Sequence, residues 1–255
     1  MLSRREAVRR SLQVLGAGAL TGCFEFDSEP AGPESDVYRL PARPGNPTFL
    51  GTPGIQYFSN EDVDAMYYVP STVDRTKPVP MVVFLHGALR TVEFFINAFA
   101  PGAEEAGVIV LAPFSNNGTW DAIRHNFGPD PFRINAAMQW IFDRWSIDPR
   151  RIVMSGFSDG ATYSLAIGRA NGAFFSRVVA YSPGFIIEVS EFGDPPILIT
   201  HGRGDQVLTF EVTSELIVPD LIQRGYQVDF RPFDGPHAVL LSAANEVMSD
   251  LTATA

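Results

Sequence analysis

The fold of this chain is decided by the stretch Met154-Ser155-Gly156-Phe157-Ser158-Asp159-Gly160-Ala161. It contains the pattern Gly-x-Ser-x-Gly between an apolar run that predicts a buried strand and a run that predicts a helix. A serine on such a tight turn needs small neighbours, because two chain segments approach each other closely there. The start of the helix behind the serine favours developing negative charge. We therefore predict that Ser158 is a nucleophile.

Strand and helix patterns alternate on both sides of this turn. Short apolar runs predict strands at residues 55–58, 66–69, 79–85, 108–112, 151–154, 178–181, 197–200 and 227–233. Longer amphipathic runs predict helices at residues 92–106 (with a break near Pro101 and Gly102), 131–145, 159–170, 209–224 and 239–251. The alternation predicts an α/β fold, with a mostly parallel central sheet and helices on both of its faces.

Composition excludes several classes of protein. The chain has 255 residues, 45% of them hydrophobic, which is enough to bury one sizeable core. Its formal net charge of −10 argues against a nucleic-acid partner, because phosphate contacts need a surface rich in Lys and Arg. The single cysteine, Cys23, excludes an intrachain disulfide and a cysteine-based zinc site. The sequence contains neither a phosphate-binding P-loop nor a dinucleotide fingerprint, so we expect no cofactor and no metal.

A nucleophilic serine needs a base, and the base needs an acid that orients it. With the serine on a strand-to-helix turn of this kind, the acid and the histidine follow in that order, each after a later strand. Asp205 lies in a glycine-rich loop after the strand at 197–200, and His237 follows the strand at 227–233. We predict a catalytic triad of Ser158, Asp205 and His237.

The competing residues fit this order less well. His86 and His201 directly follow strands and precede glycine, which favours a structural role in ordering loops, and His125 is expected to be exposed in a long loop. The other candidate acids precede a strand, lie inside one or adjoin the base: Asp194, Asp229 and Asp234.

An oxyanion hole needs two backbone N–H donors. One is expected from Asp159, directly after the nucleophile, and the other from the loop His86-Gly87-Ala88-Leu89 after the strand at 79–85. Ala88 is the preferred donor and Leu89 the alternative, although a His-Gly pair after a strand also fits an ordinary turn. The long loop at 113–130 should form one wall of the substrate site. Its Trp120 is expected either to line that site or to fill the core beneath the loop.

Together these segments resemble the phospholipase/carboxylesterase and polyhydroxybutyrate-depolymerase-like esterases of the α/β-hydrolase superfamily. The resemblance covers residues 63–251 and rests on residues 83–87, 119–121, 127–130, 147–152, 156–161, 181–184, His201-Gly202 with Asp205, and 233–237. It implies an α/β-hydrolase fold and assigns Ser158, Asp205 and His237 as nucleophile, acid and base, with Ala88 and Asp159 as oxyanion donors. Pro236 replaces the usual glycine, and Ala238-Val239-Leu240 lacks the proline that often follows, so the substrate range of relatives is not carried over.

Residues 1–22 are predicted to be an export signal. Arg4-Arg5 and Arg9-Arg10 precede a weakly apolar run at 12–20 that is too short to span a bilayer. The first pair resembles a twin-arginine signal, although Ala7 stands where a bulky apolar residue is common. Residues 20–23, Leu-Thr-Gly-Cys, resemble a bacterial lipoprotein cleavage box, in which the cysteine becomes the lipidated first residue. The alternative is a basic N-terminus with an incidental buried cysteine.

The sequence thus predicts three segments: the signal at 1–22, a lipidated tether at 23–47 and a catalytic domain at 48–255. The protein is expected to be exported from a bacterial cell, to face the periplasm or exterior, and to meet the membrane only through a lipid on Cys23. Its predicted partner is a small-molecule or lipid-like carboxylic ester, cleaved through an acyl-enzyme. The alternatives are a peptidase or amidase with the same triad, and a non-catalytic surface-binding lipoprotein on a hydrolase fold.

Overall fold

The computed structural model describes residues 38–61 and 63–253. The predicted export signal, Cys23 and the first part of the predicted tether lie outside the described residues. The described residues belong to one compact unit. In the described ranges, no helix combines the length and the apolar character needed to cross a membrane.

The centre of this unit is one sheet of eight strands within the described ranges. They are β1 (Gly54–Ser59), β2 (Asp64–Val69), β3 (Val79–Leu85), β4 (Ile109–Pro113), β5 (Ile147–Phe157), β6 (Arg177–Tyr181), β7 (Ile197–Gly202) and β8 (Val228–Phe233). Their order across the sheet is β1-β2-β4-β3-β5-β6-β7-β8. β1 pairs with β2, and β2 with β4, in antiparallel fashion, while the other neighbours are parallel. The prediction of a mostly parallel sheet is confirmed, and the carboxyl ends of β3 to β8 meet at one edge.

Helices cover both faces of the sheet. They are α1 (Val92–Ala106), α2 (Asp121–Arg124), α3 (Asp130–Phe142), α4 (Asp159–Ala170), α5 (Ser214–Gln223) and α6 (Leu241–Ala253). α1 and α6 pack on one face, and α3, α4 and α5 on the other. Alternation along β3 serves both layers, because Met81 and Val83 join the core under α3 and α4 while Val82 and Phe84 join the core under α1 and α6.

The predicted break in the helix at residues 92–106 was wrong, because α1 continues through Pro101. Buried Phe99 and Ala103 hold the helix on either side of the proline. Gly102 lets α6 approach closely, since a Cβ atom there would lie 2.3 Å from Asn245 Oδ1. Tertiary packing therefore outweighs the hydrogen bond that proline removes.

Part of the segment expected to be a tether packs into the domain. Tyr38, Leu40 and Ala42 are buried. The Leu40 N–H donates to Asn171 Oδ1 at 2.9 Å and the Ala42 N–H to Asn135 Oδ1 at 2.7 Å. The folded domain therefore begins before residue 48. The segment was predicted to be a linker because prolines and arginines separate these apolar residues. In the structure, every second side chain packs on α3 and α4.

Candidate active site

The centre of the site is the turn between β5 and α4. Ser158 has φ 57° and ψ −120°, a left-handed conformation that L residues rarely adopt. Its N–H donates to the Tyr181 carbonyl on β6 at 2.9 Å, and its own carbonyl accepts the Thr162 N–H at 3.0 Å. These two bonds fix the strained serine between the neighbouring strand and the first turn of α4.

The small residues of the Gly-x-Ser-x-Gly pattern are required by this packing. A Cβ atom on Gly156 would lie 2.2 Å from the Gly160 carbonyl oxygen. One on Gly160 would meet the end of β3, and one on Gly87 would lie 3.2 Å from Ser158 Cβ. β5, α4 and the loop after β3 therefore converge at the serine.

The structure brings the three predicted triad residues together. Ser158 Oγ lies 2.9 Å from His237 Nε2, and His237 Nδ1 lies 2.5 Å from Asp205 Oδ2. Because Nδ1 faces a carboxylate, this nitrogen carries the proton and donates it, which leaves Nε2 to accept the Ser158 hydroxyl. Asp205 is 4% exposed and Ser158 is 8% exposed, so the series is largely shielded from water.

The surroundings of Asp205 favour its ionised form, which accepts hydrogen bonds. Its Oδ1 accepts the N–H groups of Val207 and Leu208, each at 2.8 Å. Burial raises the pKa of Asp205, but the hydrogen bonds from Leu208, His237 and Val207 together lower it below its ordinary value. The carboxylate is therefore charged at neutral pH and can orient the imidazole.

The loops that carry Asp205 and His237 pack against each other. A Cβ atom on Gly202 would lie 2.4 Å from the carbonyl oxygens of Gly235 and Pro236, so only glycine fits there. The Phe157 ring lies 4.6 Å from the His237 ring and supports the imidazole from the side of the turn.

The two predicted oxyanion donors lie on either side of this turn. The Asp159 N–H belongs to the first turn of α4, whose amides have no acceptor within the helix. Ala88 begins a short 3-10 turn after β3, whereas the Leu89 N–H donates to the Gly118 carbonyl at 3.1 Å. Since the Leu89 donor is already used, the geometry favours Ala88 over the alternative.

Backbone strain is concentrated at this edge of the sheet. Within the described ranges, positive φ occurs at three residues other than glycine: Leu89, Ser158 and Ser182. They follow β3, β5 and β6, which are adjacent in the sheet. Strain of this kind persists only where the surrounding contacts fix it, and it is common at functional sites.

The remaining histidines differ in their surroundings. His86 is buried, with Nδ1 2.6 Å from the Gly87 carbonyl and Nε2 accepting the Ser115 N–H at 3.0 Å, which is the predicted loop-ordering role. His125 is exposed, as expected. His201, also expected only to order loops, lies with Nε2 3.1 Å from Asp205 Oδ2, a contact that sequence reasoning missed.

The long loop after β4 contacts Asp159 and Leu89, the residue that follows Ala88. Its Gly118 carbonyl accepts the Leu89 N–H, and the Thr119 hydroxyl donates to Asp159 Oδ2 at 2.5 Å. Trp120 is fully buried, and its Nε1–H donates to the His86 carbonyl at 2.8 Å. Of the two roles left open for Trp120, the structure supports the core.

Two carboxylates, buried Asp130 and half-buried Asp121, close this loop and were not foreseen. The Asp121 N–H donates to Asp130 Oδ2 at 2.8 Å, and the Asp130 N–H donates to Asp121 Oδ2 at 3.0 Å. Burial raises the pKa of Asp130 to about 6. Among the described residues, no group of three or more His, Cys, Asp or Glu side chains is arranged to hold a metal ion.

No family model matches the sequence, and no curated protein is similar to it. Solved structures do match. A thermostable esterase superposes with a TM-score of 0.60 at 20% identity over 77% of this chain, which spans 61% of that protein. Acetyl xylan esterase from Aspergillus awamori gives 0.59 at 17% identity, covering 76% of this chain and 98% of that one. Fluorophosphonate-binding serine hydrolase F from Staphylococcus aureus gives 0.59 at 15%, covering 79% and 99%. With its sheet order and strained serine turn, the chain therefore has the α/β-hydrolase fold.

Proposed function

We propose that this protein is a carboxylic ester hydrolase that works through an acyl-enzyme intermediate. The observation that carries the proposal is the hydrogen-bonded series from Ser158 through His237 to Asp205 at the carboxyl edge of the sheet. The likeness in fold to esterases and serine hydrolases supports it.

The proposed reaction begins when Ser158 Oγ attacks the ester carbonyl while His237 Nε2 takes the hydroxyl proton. The N–H groups of Ala88 and Asp159 hold the negative oxygen of the tetrahedral intermediate. Asp205 stabilises the imidazolium that forms on His237. His237 then gives its proton to the leaving alcohol and activates the water that hydrolyses the acyl-enzyme.

The substrate is proposed to be a small-molecule or lipid-like ester with an apolar acyl group. Two exposed apolar side chains adjoin the catalytic residues in sequence: Leu89 follows Ala88 and is 87% exposed, and Val207 lies in the loop of Asp205 and is 68% exposed. Side chains of this kind favour contact with hydrocarbon over contact with a charged substrate.

An assay with p-nitrophenyl esters of graded acyl length tests the proposal. Ser158→Ala should lower kcat by about 10⁴–10⁶-fold without changing the melting temperature, because the nucleophile is lost and the fold is not. Ser242→Ala, at an exposed serine of α6, is the matched control and should keep full activity. Activity of Ser158→Ala within about tenfold of the wild type contradicts the assignment. Matched anilides compare ester with amide cleavage.

We also propose that the protein is exported and carries a lipid on Cys23, which would be its only attachment to a membrane. The support is the sequence pattern alone, in which small residues and a cysteine directly follow the apolar run at 12–20.

A further inference from the structure

A second histidine contacts the acid of the triad. His201 is fully buried at the end of β7. Its Nε2 lies 3.1 Å from Asp205 Oδ2 and 2.8 Å from the Leu208 carbonyl oxygen, and its Nδ1 lies 2.6 Å from Ser214 Oγ on α5. The proposed reaction does not use this ring.

The surroundings of His201 fix where its proton lies. Both groups that face Nε2, the Asp205 carboxylate and the Leu208 carbonyl, can only accept a hydrogen bond. Nε2 therefore carries the proton, and Nδ1 accepts the Ser214 hydroxyl. Burial lowers the pKa of His201, which keeps the ring neutral at neutral pH.

We propose that His201 is a positioning residue that holds Asp205 in line with His237. This inference rests on the proposed function. The two oxygens of Asp205 are both occupied: Oδ1 accepts the N–H groups of Val207 and Leu208, while Oδ2 accepts His237 Nδ1–H and lies 3.1 Å from His201 Nε2, whose N–H also donates to the Leu208 carbonyl. Donors on both oxygens resist rotation of the carboxylate, so Oδ2 stays directed at His237.

Three charged or titratable side chains lie around the His201 ring. Asp205 contacts it from the following loop, and His237, in the loop after β8, contacts the same Asp205 Oδ2 atom. Arg203 lies with its guanidinium 5.0 Å from the centre of the Phe210 ring, which in turn meets His201 edge-on at 5.7 Å.

Loss of the His201 donor has two expected consequences. The carboxylate of Asp205 becomes freer to rotate, which lowers kcat more than it raises KM, since His237 is misplaced in the transition state. The carboxylate also keeps more negative charge towards His237, which stabilises the imidazolium. The acid limb of the kcat/KM profile should therefore move to higher pH, an effect that simple loosening of the core does not produce.

The test compares two amide replacements of similar polarity. In His201→Gln the side-chain amide reaches the position of Nε2, whereas in His201→Asn it reaches only that of Nδ1. With p-nitrophenyl butyrate, His201→Asn should lower kcat by about tenfold, the effect of one buried hydrogen bond, and should shift the acid limb upward. His201→Gln should recover most of kcat and the wild-type limb. Equal kcat values and equal limbs in the two folded variants overturn the proposal.

A measurement on the unmutated protein guards against variants that fail to fold. Nitrogen-15 NMR of the histidine rings at neutral pH should show His201 protonated on Nε2 alone. A proton on Nδ1 overturns the proposal. Wild-type protein that neither hydrolyses the ester nor reacts with a fluorophosphonate at Ser158 overturns the proposed function and this inference with it. If the wild type is active and the two His201 variants have equal kcat values and equal acid limbs, only the role of His201 is overturned.

Discussion

A Cβ atom on Gly160 would lie 2.1 Å from the carbonyl oxygen of Leu85 and 2.4 Å from that of His86. The first turn of α4 therefore packs directly against the end of β3. This approach sets Asp159, on α4, beside the loop that carries Ala88. The second glycine of the motif thus determines how the two proposed oxyanion donors are spaced.

We expect Gly160→Ala to impair both stability and catalysis. The added methyl group meets two backbone carbonyls, which cannot move aside as a flexible side chain can. The free energy of unfolding should fall by about 1–3 kcal/mol or more in urea denaturation, and kcat should fall because the two N–H donors move apart. Gly45→Ala is the control, since no atom lies within 4 Å of a Cβ at Gly45. Similar stability of the two variants would show that α4 can shift away from β3 without cost.

Asp205→Asn should lower kcat by about 10⁴-fold while the protein stays folded. The amide NH₂ of asparagine can donate to His237 Nδ1, which places the imidazole proton on Nε2 and removes the acceptor for the Ser158 hydroxyl. Asp229→Asn, at an exposed aspartate of β8, should leave kcat near the wild-type value. Steady-state kinetics of the two variants settles the choice of acid, and comparable losses in both would contradict it.

The meeting of Ser158, Asp205 and His237 could be predicted from the sequence because it depends on chain order. Ser158, Asp205 and His237 each follow a different strand, and parallel strands place their carboxyl ends at one edge of the sheet. An apolar run of a few residues is enough to locate such a strand. No further information is needed to predict that the three side chains meet.

The contacts that the sequence did not reveal depend on tertiary packing. The spacing of His201 and Asp205, four residues apart at the end of a strand, does not say whether the two side chains meet. Trp120 lies in a long loop, and the loop sequence has no hydrophobic periodicity that would show which side chains are buried. The burial of Leu40 depends on α3 and α4, whose sequences lie far along the chain.

Trp120→Ala should destabilise the protein without changing its preference among esters. The ring is fully buried between His86 and Tyr163, with ring centres 4.8 and 5.2 Å away, so its loss leaves a cavity. We expect a loss of about 3–5 kcal/mol in the free energy of unfolding. Phe132→Ala, at a phenylalanine of α3 that is 64% exposed, is the control and should have little effect. A changed order of preference among p-nitrophenyl esters with unchanged stability would instead place Trp120 in the substrate site.

We expect protein purified from its native host to begin at Cys23 and to carry a lipid there. The basis is the small-residue pattern before the single cysteine of the chain. Mass spectrometry of the N-terminal peptide measures both features. An intact Met1, or an unmodified Cys23 in protein released without detergent, contradicts the prediction, and Cys23→Ser should leave the protein unlipidated.

The buried carboxyl group of Asp130 should make the protein less stable at neutral than at mildly acidic pH. Burial raises its pKa from 3.8 to about 6, and repulsion by the nearby Asp121 carboxylate adds to this increase. The hydrogen bonds from the N–H groups of Asn116 and Asp121 lower the pKa but do not cancel the effect of burial. Between these two pKa values the folded protein holds a proton that the unfolded chain has lost. The free energy of unfolding therefore falls as the pH rises through this window.

The expected loss in the free energy of unfolding follows from about 1.4 kcal/mol for each unit of pKa shift. It amounts to about 3 kcal/mol at pH 7 and is absent near pH 4. Asp130→Asn has no charge to bury, although it exchanges one accepted hydrogen bond for an opposed donor. Urea denaturation at several pH values should show the wild type losing about 3 kcal/mol relative to this variant between about pH 4 and pH 7. A constant difference across that range would mean that Asp130 stays charged in the folded protein, held by its two backbone donors.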